Sequence, residues 1–123
     1  MTLRECIDKL DSLKPNQYSE EEKVRWLAFL EANIYNDLIL THDFGEVIEY
    51  TPYTVDDLDK ELIAQFPYDE VYLSFLKMKV DEENQETTRY NNSAMLYNSH
   101  LDNYAKYVNK NYKHKSRPPF RFY

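Results

Sequence analysis

Apolar residues recur at helical spacing through most of the chain, and the longest such run lies between Tyr90 and Tyr112. Tyr90, Ala94, Tyr97, Leu101, Tyr104, Val108 and Tyr112 follow one another at steps of three or four. That spacing lays one tyrosine-rich stripe along a helix of about six turns, with no Gly or Pro to interrupt it. Before it, Asp69 stands as the cap of a helix through Val71, Tyr72, Phe75, Leu76, Met78 and Val80, whose wide apolar face suits the most buried helix. The polar run 81–86 reads as a solvated end or bend, and Thr87 or Thr88 as the cap of the long helix. The two helices form a predicted hairpin that serves as the core.

Upstream, Thr2 and Glu5 make a capping box ahead of a helix with Leu3, Ile7, Leu10 and Leu13 on one face. Lys14-Pro15 ends it, because the residue before a proline avoids helical dihedrals. Ser19 and Glu22 make a second capping box. Val24, Leu27, Leu30, Ile34 and Leu38 follow at helical spacing to about Thr41, with Trp26, Phe29 and Ile39 widening the stripe. Trp26 is read as core or helix-interface packing.

Residues 42–67 lose this period. Phe44-Gly45 is a break and 46–50 a short extended run, the one candidate strand. Thr54 is placed to cap a short helix through Val55, Leu58, Leu62 and Ile63. Long ordered connections often carry function, so Val47, Ile48, Tyr50 and Tyr53 are candidates for a protein interface. After His114 the helical pattern stops. Pro118 and Pro119 exclude a helix over 116–123, which reads as an extended arm alternating basic and aromatic side chains. Its Arg117, Phe120, Arg121, Phe122 and Tyr123 are the second set of interface candidates. The expected architecture is mainly α: four to five helices over residues 1–115 with a long central hairpin and a long loop, then the arm 116–123.

Composition agrees with this. One Gly in 123 residues disfavours tight hairpins and glycine-rich phosphate loops. Cys6 is the lone cysteine, so neither an intramolecular disulfide nor a cysteine-based zinc site can form. No signal pattern opens the chain and no apolar run approaches the roughly 18 residues of a membrane span, so the chain is expected in the cytoplasm, away from membranes.

Charge is divided unevenly. Residues 1–105 hold 9 basic and 22 acidic groups, whereas 106–123 hold six basic and no acidic ones. An acidic body therefore carries a basic tail. The body repels nucleic acid, leaving only the tail able to bind it, and docking of the arm on protein is the preferred reading. Nothing points to catalysis. His42, His100 and His114 are scattered and read as surface residues, and Asp56, Asp57, Asp59 and Glu61 lack the glycine and terminal Glu of a calcium loop. Nucleophile, phosphate-loop and metalloprotease motifs are absent, so the chain is expected to be no enzyme and to need no cofactor or metal.

Several stretches resemble one family: Leu-Lys-Pro-Asn at 13–16, Tyr-Ser-Glu-Glu-Glu-Lys-Val-Arg-Trp-Leu at 18–27, Pro-Tyr-Thr-Val-Asp-Asp-Leu-Asp-Lys-Glu-Leu at 52–62, Pro-Tyr-Asp-Glu-Val-Tyr at 67–72, Arg-Tyr-Asn-Asn-Ser at 89–93 and the aromatic-basic tail. Together they are similar to the head–tail connector (adaptor) proteins of tailed phages and prophages of Gram-positive bacteria. The resemblance implies a helical subunit in a ring of about a dozen copies, closed by a head-to-tail interface. The ring would sit in the virion neck, beneath the portal protein, after assembly in the host cytoplasm. It would extend the DNA channel without reading sequence and receive the next neck or tail completion protein. No catalytic residue transfers. The acidic stretch 81–86 departs from the pattern. The alternative is a small acidic phage or bacterial regulatory protein that binds another protein; a weaker one is a nucleic-acid binder acting through the tail alone.

Overall fold

Residues 1–115 are described by the structure, a computed structural model; the arm and its five candidate residues lie outside them. The described chain is mainly helical, with α1 over Leu3–Leu13, α2 over Glu20–Ile34, α3 over Glu70–Glu83 and α4 over Thr87–Asn111. A single π-helical turn, Tyr35–Ile39, continues α2, so the element runs close to the expected end.

The starts of α1 and α2 form as the sequence dictates. Thr2 Oγ1 accepts from Glu5 N while the Glu5 carboxylate accepts from Thr2 N, a reciprocal cap that contributes about 1 kcal/mol. Ser19 Oγ accepts from Glu22 N at 3.1 Å. The later caps differ from expectation. Asp69 makes no side-chain cap bond, and the residue preceding α4 is Glu86 rather than a threonine.

Helix α3 is the centre of the fold. Six consecutive residues, Val71 to Leu76, are buried, because α1 and α2 cover one side and α4 covers the other. The longest periodic helix, α4, is therefore the less buried half of the hairpin. Only Tyr104 and Val108 of the α4 stripe are fully buried, while Tyr90, Ala94, Tyr97, Leu101 and Tyr112 are half-exposed. The cause is that α4 packs chiefly on α3 and has one covered face. Trp26 is core, 6% exposed, edge-on to Tyr18. Leu13 and Phe29 turn outward instead of completing their stripes.

The polar run between α3 and α4 is only partly solvated. Gln85 adopts left-handed dihedrals (φ 58°), and Glu86 N donates to Asp81 O while Gln85 N donates to Glu82 O. This pair of bonds is the Schellman stop, here built on glutamine instead of glycine. Asp81, read as solvated, is fully buried: Ser93 Oγ donates to Oδ2, and Lys14 Nζ lies 2.7 Å from Oδ1. That second contact is an ion pair without hydrogen-bond alignment. It ties the end of α1 to the hairpin.

The connection 42–67 departs most from expectation. Residues 46–50 form no strand, and the predicted helix after Thr54 is one 3-10 turn, Val55–Asp57, although Thr54 and Asp57 do cap it reciprocally. The strand lies slightly upstream. β1 (His42–Asp43) pairs antiparallel with β2 (Lys113–His114), His42 opposite His114 and Asp43 opposite Lys113. Segment 58–62 lies along the chain start, with Arg4 N donating to Leu58 O and Leu62 N to Met1 O.

Candidate functional site

Tyrosines form two clusters, and they use their chemistry differently. In the first, α2 presents Glu31 on its buried side, at the i+4 step from Leu27. Tyr53 Oη and Ile63 N donate to Oε2 at 2.8 and 2.9 Å, and Tyr72 Oη donates to Oε1 at 2.7 Å. Tyr72 Oη in turn accepts from Ala64 N at 2.8 Å. The carboxylate thus fastens α3 and two points of the long connection to α2. Burial raises the Glu31 carboxyl above its ordinary value, although the three donated bonds oppose the shift. Beside it Tyr50 donates to Ala28 O and Tyr35 to Ile48 O, both at 2.8 Å. Burial and the Glu31 charge push the Tyr50 phenol up to about 12 and raise those of Tyr53 and Tyr72 as well.

The second cluster borders an open groove of about 450 Å³. Most of its rings meet face to face or tilted: Tyr68 stacks on Tyr107 at 4.5 Å and lies 5.9 Å from Tyr104, while Phe44 lies 4.2 Å from Tyr112; Tyr107 and Tyr112 meet edge-on at 6.1 Å. Phe66 and Pro67 also line it, and Phe66 is 86% exposed. One acid, Glu46, lines the groove, and it has no ion pair among the described residues. An adjoining cavity of about 340 Å³ shares Phe44, Glu46 and Ile48 and reaches Val47 and Lys115.

The strand pair fixes the groove's edge. His42, expected on the surface, is 1% exposed. Its Nδ1 faces Leu38 O at 2.8 Å and Thr41 Oγ1 at 2.9 Å; Thr41 Oγ1 itself donates to Asp37 O, so His42 Nδ1 is the donor. Nε2 faces the Asn109 amide at 2.8 Å, and the His114 ring lies 4.1 Å away. His114 is exposed and His100 half-exposed.

The four candidates of the connection are therefore divided. Val47 is 87% exposed and Ile48 half-buried at the groove, whereas Tyr53 is buried and the hydroxyls of Tyr50 and Tyr53 are bonded internally. Sequence reasoning missed Glu31, and it named the α4 tyrosines as a stripe without placing them at a groove. The Glu31 signal was present, a carboxylate inside an otherwise apolar stripe. The groove had none, because it joins residues more than 60 positions apart.

Chemically the groove offers aromatic faces and one negative charge, which suits proline, aromatic and guanidinium groups. Among the described residues no three potential ligands converge on a metal position, and burial pushes the Cys6 thiol up to about 12. No helix of the described chain is long and apolar enough to cross a membrane. Comparisons with known protein families, curated proteins and solved structures return no match.

Proposed function

We propose that this chain is a structural assembly subunit: a head–tail connector of a tailed phage, forming a ring beneath the portal that extends the DNA channel. The observation that carries the reading is complementarity within one chain. The described body holds an open, acid-bordered aromatic groove, and residues 116–123 supply arginines, prolines and aromatics. Complementary surfaces at different places on one subunit generate head-to-tail contacts, which close into rings when the rotation permits. The sequence resemblance supplies the biological setting, including the portal and the next neck component as partners. No catalytic step belongs to this role, and DNA passes through the acidic body without sequence-specific contact.

Light scattering and negative-stain microscopy of the purified chain test it. Rings, alone or on addition of the portal, are the expected result, and deletion of 116–123 should abolish them. A chain that stays monomeric at high concentration with and without portal, yet captures a DNA-binding protein, would establish the regulatory alternative instead.

A further inference from the structure

We infer that the aromatic groove is the receptor for residues 117–120 of a second copy of this chain, Arg-Pro-Pro-Phe, a refinement that rests on the assembly reading above. Three observations converge on this occupant.

The groove's chemistry is the first. Walls made of Phe44, Tyr107, Tyr112, Phe66 and Pro67 present flat faces, with volume for a few side chains. Aromatic-lined grooves take up proline-rich segments, because such a segment loses little chain entropy on binding. Pro118 and Pro119 are the only adjacent prolines in the chain. Phe120 follows them as an aromatic anchor.

Charge is the second. Glu46 borders the groove and is unpaired among the described residues. Arg117 stands immediately before the two prolines. A guanidinium there could pair with Glu46 while its plane stacks on a tyrosine face.

The third is direction, and it selects a second copy over the chain's own arm. Tyr112 lies against Phe44 at the groove. From there β2 runs antiparallel to β1, past Asp43 and His42, until Lys115 N donates to Thr41 O at 2.9 Å. The chain therefore leaves the groove behind before residue 116. Lys115 borders the adjoining cavity and not the groove itself. To re-enter its own groove the chain would have to double back along β2 directly after Lys115.

The test uses the full chain in equal mixtures of natural-abundance and 15N-labelled copies, with Phe120 replaced by the photocrosslinker p-benzoylphenylalanine. Crosslinks are expected to peptides containing Phe66–Tyr68 or Tyr104–Tyr112, with mixed-isotope pairs as abundant as same-label pairs. Phe120→Ala should weaken self-association about tenfold or more, as loss of an interface anchor does. The exposed charge reversals Glu46→Lys and Arg117→Glu should each weaken it about three- to tenfold, and the double variant should recover most of the loss. Same-copy crosslinks alone, or crosslinks only outside the groove, overturn the inference. If the chain assembles and all the variants match the parent, the assembly reading stands and the groove assignment fails. If the parent never self-associates, both fail.

Discussion

The Glu31 cluster and the groove cluster are built from the same residue type, yet one is closed and the other open. Tyr53 and Tyr72 direct their hydroxyls onto one buried carboxylate, and their rings are 9% and 0% exposed. Tyr68 and Tyr107 stack face to face, Tyr112 meets Tyr107 edge-on, and all three remain half-exposed, with only Tyr104 buried beneath them. A tyrosine whose hydroxyl is satisfied internally contributes to holding the subunit together. One that offers a bare face remains available to a partner. Substitutions in the two clusters should therefore separate stability from assembly.

The largest effect is expected from Glu31→Ala. It leaves Tyr53 Oη, Tyr72 Oη and Ile63 N without an acceptor in the interior, and each orphaned buried donor costs about 1–3 kcal/mol. Relief of the carboxylate's own burial offsets part of this, giving a net loss of about 4 kcal/mol. Chemical denaturation measures the loss. Amide exchange at Ile63 should accelerate beyond that of the α3 core, because the connection is released first. A loss below about 1 kcal/mol would mean the carboxylate fastens nothing.

Removing single hydroxyls grades the closed cluster. Tyr72→Phe orphans Ala64 N–H as well as deleting a donor to Glu31, so a loss of about 2–3 kcal/mol is expected. Tyr53→Phe deletes one donor and leaves Glu31 with two, so about 1–2 kcal/mol is expected. Denaturation midpoints in the order wild type, Tyr53→Phe, Tyr72→Phe would support this arrangement; the reverse order would contradict it.

Why the helices were legible and the clusters less so follows from the range of the interactions. Thr2 with Glu5, Ser19 with Glu22 and the apolar steps of α1 to α4 are contacts within a few residues, so spacing alone specifies them. The reading failed where a distant partner decides. Asp81 is buried because Lys14, 67 positions away, reaches it, and His42 because Asn109 does. The long α4 stripe is regular, but regularity does not report how many helices stand ready to cover it. Val47 and Ile48 follow from the loop's length, and Ile48 lies at the groove with Val47 at the adjoining cavity, while the groove's aromatic residues come mostly from α4 and from 66–68, far along the chain.

A pH series sharpens the comparison further. Burial holds the Glu31 carboxyl above its ordinary value, so the folded chain keeps that proton at pH values where the unfolded chain has released it. The stabilising contribution is complete below the unfolded value of about 4.3 and is lost as pH rises through the folded value. Urea midpoints of the wild type relative to Glu31→Gln should therefore decline with rising pH across that window and then level off. A difference that instead grows with pH would show that the three donated bonds outweigh burial.

The smallest effect is expected at Tyr68. Tyr68→Phe keeps the ring that stacks on Tyr107 at 4.5 Å and approaches Tyr104 at 5.9 Å. Stability should change by less than about 0.5 kcal/mol, and self-association should persist, because the groove offers the partner ring faces. Tyr68→Ser removes the face and should weaken self-association more than it destabilises the subunit. A loss of 1 kcal/mol or more for Tyr68→Phe would mean that its hydroxyl is used inside the subunit, as those of Tyr53 and Tyr72 are. The two clusters would then be alike, and the groove would no longer stand out as a surface kept for a partner.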